Sequence, residues 1–505
     1  MASRNALPNG TPDLRMARAL ALLLACRTVH ATIEPRYQRD SRCPAAIKYD
    51  AAGSARLLSG SRYKDVSGIA SVEACGYACC GDWSCLAFVY NATSHNCGFN
   101  DDVDAVTAAS AGLSSGVRGH LPSRDPPGEP SSWTASLDPE MVIGINGDEF
   151  PITWGRDGRQ YTGAGDNHQP GEPESPLAFF SVDGQPEDLN CTLEPTHHNQ
   201  PSPSCQHIQR AGAAVPINGS KARKLCPTWE NKPIPNLKSS GVISVDGALY
   251  WAISCFDYGD DPIFNRQRYG PAWIVASRDG GATWDEDAMN GTFAGNLAAP
   301  RFLQFGRDNA GAIDAFVYVY FPGTTSGAAF FENNDQVLLG RVPADAVLDV
   351  GAYEYFMGTS YGGEPRWTSD ATLAAPVFSN PLMTSVQQVN AFGGASFVFA
   401  NWAWISVDGY PRPDHTPDER NGRTGHQRTQ LTLFEGDAPW GPFRPFFRAD
   451  DWVMSDGSAG AYTPVIPPAW VADDHFSLVS TQCCGNPRLP LNNYNFLVQR
   501  VNVAK

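Results

Sequence analysis

Three groups of carboxylates are spaced for proton exchange. Asp166 lies in Gly165-Asp166-Asn167. Asp257, Asp260 and Asp261 share a segment with Phe256, Tyr258, Phe264 and Tyr269. Glu332 and Asp335 lie in Phe330-Phe331-Glu332-Asn333-Asn334-Asp335-Gln336. Two carboxyl groups divide acid and base duties when their surroundings differ. Asp166 is the first choice for base or nucleophile. Glu332 is the best general acid, because adjacent phenyl rings favour a protonated carboxyl. Asp261 is a further catalytic candidate. Asp257, Tyr258 and Asp335 are candidate substrate contacts, since carboxylates beside aromatics suit sugar hydroxyls and ring faces. Trp402 and Trp404, on or beside a predicted strand, would form a stacking platform. Plainer readings stand beside each of these. Asp166 and Glu332 also fit polar turns, the 257–261 segment a solvated acidic loop or a structural calcium site, and the tryptophans core packing. No resident cofactor or metal is expected; His197, His198 and His207 lie in a Pro-rich insertion whose flanking cysteines disulfides explain. There is no Gly-x-Ser-x-Gly elbow, phosphate loop or dinucleotide fingerprint.

Short β-rich runs must position these groups. Phe150–Trp154 and Gln160–Ala164 flank a Gly-Arg-Asp-Gly turn, and Val242–Ser244 and Ala248–Ile253 flank Val245-Asp246-Gly247. Such pairs read as hairpins. They group near 141–185, 241–286, 297–345, 383–445 and 460–503. The predicted fold is therefore all-β, a five-bladed propeller over residues 136–505, with a two-sheet sandwich as the alternative. Helical signals are few, Pro343 to Phe356 being the best. Ser277-Arg278-Asp279-Gly280-Gly281-Ala282-Thr283-Trp284 is an Asp-box. In this turn Asp279 bonds amides, Gly280 and its neighbour take positive φ, and Trp284 packs beneath. It resembles the repeats of sialidases, where it is structural. A sialidase would also need converging arginines, for which Arg266, Arg268 and Arg301 are available.

The N-terminal part differs. Cys43, Cys75, Cys79, Cys80, Cys85 and Cys97 crowd one stretch, as in a small domain stapled by bridges. Helical spacing over Val72–Cys79 and a strand over Leu86–Tyr90 resemble the PAN/apple family across about residues 40–120. That resemblance implies binding of a surface protein or carbohydrate; the adjacent Cys79-Cys80 leaves the pairing open. Residues 121–135 are a Pro/Ser-rich linker. From Met16, a short apolar run ending Val29-His30-Ala31 reads as a signal peptide covering 1–31, with Met16 as an alternative start. Removing Cys26 with it leaves 12 of the 13 cysteines, an even number. Sequons at Asn91, Asn190, Asn218 and Asn290 fit a secreted glycoprotein. A net charge of -16 disfavours nucleic acid and anionic lipid, and no segment reaches the length of a membrane span.

The order of short motifs carries a second resemblance. Trp154-Gly155-Arg156-Asp157-Gly158 precedes Gly165-Asp166-Asn167, then Gly241–Tyr250 and the Asp-box. Arg366-Trp367, Ala438–Phe443 and Tyr494–Val501 follow. Together they resemble the secreted propeller family, long known as a domain of unknown function, that includes microbial endo-D-arabinanases. The resemblance implies a five-bladed propeller and glycoside hydrolysis, with carboxylates at the channel mouth; Asp166 matches the family's early Gly-Asp pattern. The leading expectation is a secreted glycoside hydrolase acting on a polysaccharide such as an arabinan. A non-catalytic glycan- or protein-binding propeller and a sialidase-type exo-glycosidase are its rivals.

Overall fold

The computed structural model describes parts of residues 47–118 and most of 131–504; the longer stretches left out are 1–46, 119–130, 166–175, 190–205, 258–267, 380–384, 406–427, 453–460 and 483–494. In the N-terminal module, Ala87–Asn91, Asn96–Asn100 and Arg62–Ser67 form consecutive antiparallel strands, with Leu113–Arg118 and Ile47–Tyr49 on the other side. Val72, Ala74, Cys75 and Cys79 are helical. The Cys75–Cys97 disulfide ties that helix to the sheet. Phe88, Phe99, Tyr90 and Ile69 close a core too small to stand without such a staple.

The remainder forms five antiparallel sheets, the blades of a propeller. The first holds Ile152–Trp154, Gln160–Ala164, Ala178–Val182 and Ile208–Arg210. The second holds Leu237–Val245, Ala248–Asp257 and Arg268–Ser277. The third starts at Arg301–Phe302 and continues through Phe316–Gly323, Gln336–Pro343 and Glu354–Thr359. The fourth runs from Ser385–Phe392 through Ser396–Ile405 and Arg428–Gly436 to Phe443–Ala449. The fifth holds Ala461–Val465, His475–Gln482 and Asn495–Ala504. The first strand of each blade packs against that of the next from blade one to blade five, so these strands line the axis. Inner strands are covered by neighbouring blades, and Leu237–Val245 is buried along its whole length.

Closure couples the two ends of the domain. Thr134–Leu137 pairs with Ala504 back to Val501, and Met141–Asn146 pairs with Val498 back to Asn495. The closing strand therefore begins inside the expected 121–135 linker, because the last blade takes its outer strand from there. Between blades the contacts are large and apolar. Phe179, Trp251, Trp273, Phe293 and Phe321 fill one wedge across blades one to three. Phe150, Phe180, Val479 and Phe496 fill the seam between blades five and one.

The helix expected over Pro343 to Phe356 does not form. Pro343 ends a strand, a 3-10 turn covers Val350–Ala352, and Glu354 opens the next strand. Strand pairing of Gly340 with Tyr355 overrides the local helical signal. Within the propeller domain the described α-helix is Ser220–Leu225, whose following residue Cys226 is disulfide-bonded to Cys255 in blade two.

At the turn after blade two's third strand, Asp279 accepts hydrogen bonds from Thr283 N (2.9 Å), Thr283 Oγ1 (2.6 Å) and Ser277 Oγ (2.8 Å). The Thr283 bonds hold its carboxyl below the usual range. Gly280 and Gly281 have φ of 71° and 85°. Trp284 sits 4.8 Å from Phe179 of blade one and 5.2 Å from Trp251.

Candidate functional site

Charged side chains collect where the axial strands of the first three blades begin. Gly147-Asp148-Glu149 leads into Phe150, which is buried in the seam of blades five and one. Asp148 pairs through its backbone with Gly165, the last described residue before Asp166. A Cβ at Gly165 would lie 2.5 Å from Asp148 Oδ1, so the carboxylate needs a glycine there. Glu149 has φ of 48°, a costly left-handed conformation for a side chain of its size.

Lys238, the second residue of blade two's axial strand, brings Nζ to 3.2 Å from Asp148 Oδ2 and 3.4 Å from Oδ1. The ammonium also lies 5.1 Å from the Phe256 ring centre and 5.9 Å from that of Phe331. Arg301, at the start of blade three, places Nη2 3.0 Å from Glu149 Oε1 and 3.2 Å from Tyr269 Oη. Tyr269 donates its hydroxyl to the same Glu149 oxygen. Nη1 of Arg301 donates to the carbonyls of Ser239 and Ser240, so the guanidinium spans blades one to three. Asp148, Glu149, Lys238, Tyr269 and Arg301 are each at most 3% exposed. Burial, then the Glu149 charge, pushes the Tyr269 phenol well above its ordinary value, which keeps it a hydrogen-bond donor. Glu149 Oε2 is buried with no donor among the described residues.

Two carboxylates on neighbouring residues, each with a different cationic partner, can hold and move protons. Taking such charges out of water costs several kcal/mol per ion, roughly, and the partners offset it only with good geometry. The two cations balance the two carboxylates, so the cluster is neutral overall.

Asp166, Tyr258, Asp261, Glu332 and Asp335 lie outside the described residues. Their described flanks, Gly165, Asp257 and Phe331, close strands or turns at the same end of the blades as Asp148. Phe331 packs edge-on against Phe256 and Tyr462. Asp257 ends its strand half-exposed, paired with Arg268 at 3.5 Å. Trp402 and Trp404 lie in the strand Ser396–Ile405, opposite Leu431 and Thr429. Of the three arginines of the sialidase reading, Arg301 is committed to Glu149, Arg268 to Asp257, and Arg266 lies outside the described residues. Among the described residues no group of three His, Cys, Asp or Glu side chains could hold a metal ion.

Asp148, Glu149 and Lys238 were not among the sequence candidates. Their signal is weak but present: adjacent carboxylates directly before an apolar strand, and a lone lysine in the otherwise uncharged Leu237–Val245.

Comparison with known proteins gives family matches and distant folds. A PAN domain matches residues 51–117. A Bacteroides ovatus ATCC 8483 crystal structure aligns at 14% identity and TM-score 0.43, covering 72% of this chain and 87% of that one. The catalytic domain of a Coprinopsis cinerea GH62 α-L-arabinofuranosidase aligns at 10% identity and TM-score 0.38, covering 74% and 98%. The RS223 β-xylosidase aligns at 14% identity and TM-score 0.38, covering 72% and 95%. No curated protein matches. The domain of unknown function DUF4185 matches residues 137–485, most of the propeller, and the chain belongs to that family.

Proposed function

We propose that the chain is a secreted glycoside hydrolase that cuts a neutral, arabinan-like polysaccharide at the end of the propeller axis occupied by Asp148 and Glu149. The observation that carries this reading is the buried Asp148–Lys238 pair at 3.2 Å beside Glu149–Arg301. Buried ionised groups gathered at one end of three axial strands are a feature of sites that do chemistry. Hydrolysis needs a carboxylate that attacks the anomeric carbon or activates water, and a carboxylic acid that protonates the leaving oxygen. Asp148, with an ammonium as counter-ion, takes the first role. Glu332 keeps the second, with Asp166 and Asp261 as further candidate carboxylates. Overall neutrality of the cluster favours a neutral sugar over a sialic acid. The PAN module would hold the enzyme near its polymer, and the signal would be removed after Ala31.

The test is release of reducing ends from arabinan, arabinoxylan and sialylated glycans by protein recovered from the medium of a secretory host. Wild type should release product from a neutral polymer. Asp148→Asn should lower the rate by about 10³-fold, within the range of acid–base catalysis, and Glu332→Gln should act comparably. Product formation unaffected by Asp148→Asn would remove Asp148 from the chemistry. A mature N-terminus other than Thr32 would overturn the cleavage site.

One observation favours a second reading, a glycan-binding propeller without turnover. Asp148 and Glu149 are 2% and 0% exposed, as expected of a staple between blades. In that case no polymer is cut, and Asp148→Asn lowers stability alone.

A further inference from the structure

A recess lies at the other end of the blades. Thr481 Oγ1 bonds Gly147 O at 3.1 Å, next to Asp148. His475 begins the same strand, six residues away, about 20 Å at the rise of a β-strand. Around His475 a cleft of about 340 Å³ opens at the seam of blades five and one. That is near the lower end of small-ligand sites, roughly 300–1,000 Å³.

The lining mixes acceptors and donors. Asp138 and Glu187 contribute carboxylates, Arg500 a guanidinium, and His475 an imidazole. His475 Nδ1 lies 2.6 Å from Asp474 Oδ1, which fixes the ring and leaves Nε2 for a ligand. Arg500 Nε is held by Asn502 at 3.0 Å, and Asn502 also holds Asp138 at 2.9 Å. One asparagine therefore sets an acid and a base side by side. Pro186 and Trp470 supply apolar wall, and Trp470 Nε1 bonds Gly184 O at 3.0 Å, which anchors the turn carrying Glu187.

This chemistry selects against ions. An anion entering meets Asp138 and Glu187; a cation meets Arg500. A group that donates and accepts hydrogen bonds while presenting C–H faces to a proline satisfies the whole lining. We propose that this cleft is a non-catalytic site for a short segment of a neutral glycan, on the face opposite the axial carboxylates. It would hold a polymer on the enzyme independently of cleavage.

The experiment is native gel electrophoresis of the full secreted chain through gels containing arabinan, arabinoxylan or, as an anionic control, polygalacturonate. Wild type should be retarded by at least one neutral polymer. Glu187→Ala/Arg500→Ala, two exposed positions, should weaken that retardation at least fivefold with an unchanged unfolding midpoint. Asp148→Asn should be retarded like wild type, so loss of hydrolysis alone leaves this site standing. No retardation of wild type, retardation undiminished in the double variant, or stronger retardation by polygalacturonate would each overturn it.

Discussion

Glu149 concentrates the energetic conflict of the molecule. Its backbone is left-handed, its carboxylate fully buried, and its attachment to Arg301 and Tyr269 the compensation. Glu149→Gln should cost roughly 3–5 kcal/mol, the range for breaking a buried ion pair from one side, seen as a lower urea midpoint. A loss below about 1 kcal/mol, the value of an exposed pair, would deny the cluster its structural weight. Asp308 offers a pH-dependent counterpart on the far side. Burial alone would raise its carboxyl, but Gly247 N (2.9 Å), Ser244 Oγ (2.7 Å) and Arg156 Nε (2.5 Å) outweigh this and hold it below the ordinary carboxylate value. A depressed carboxyl stabilises the fold above its unfolded value near pH 4 and loses that contribution as pH falls through the folded value. Wild type should therefore exceed Asp308→Asn in stability at pH 7, and the gap should narrow on acidification below about pH 4. A gap constant from pH 7 to pH 2.5 would refute the linkage.

At the scale of elements, turns lock neighbouring blades together. Gly281 has φ of 85°, and a Cβ there would stand 2.7 Å from the Phe179 ring of blade one. Gly281→Ala combines backbone strain with a clash, so a loss of about 1–3 kcal/mol is expected. Calorimetry of that variant beside Gly327→Ala separates the two effects. Gly327 also has positive φ, but a Cβ there would meet nothing within 4 Å. Equal losses would assign the whole cost to the backbone. The turn's residue pattern is readable in sequence because its hydrogen bonds span at most four residues. The strand at Glu354 reads locally as helix because its partner, Arg341, lies on another strand and local spacing carries no trace of that pairing.

At the scale of the whole molecule, closure of the ring depends on residues far apart in sequence. Thr134–Leu137 completes the sheet whose other strands, apart from Met141–Asn146, lie beyond residue 460. A chain beginning at residue 131 should fold as a cooperative propeller. One beginning at 139 exposes the edge of Asn495–Ala504 and should lose several °C of melting temperature and aggregate through that edge. Identical melting curves for the two would show that closure rests on the Met141–Asn146 strand alone.

The sequence by itself determined the fold class, the five groups of hairpins, the cysteine-rich module and the Asp-Gly turns. Each of these depends on alternation, turn residues or spacing within a few positions. It also singled out Asp257, which ends its strand at the same end of the blades as Asp148. Only the tertiary structure decided that Asp148 meets Lys238 and that Glu149 meets Tyr269 and Arg301, residues 90 to 152 positions apart. Those pairings follow from three axial strands starting at the same end of one ring. No local pattern encodes that juxtaposition, because the cost of burying each charge is offset only by a partner on another blade.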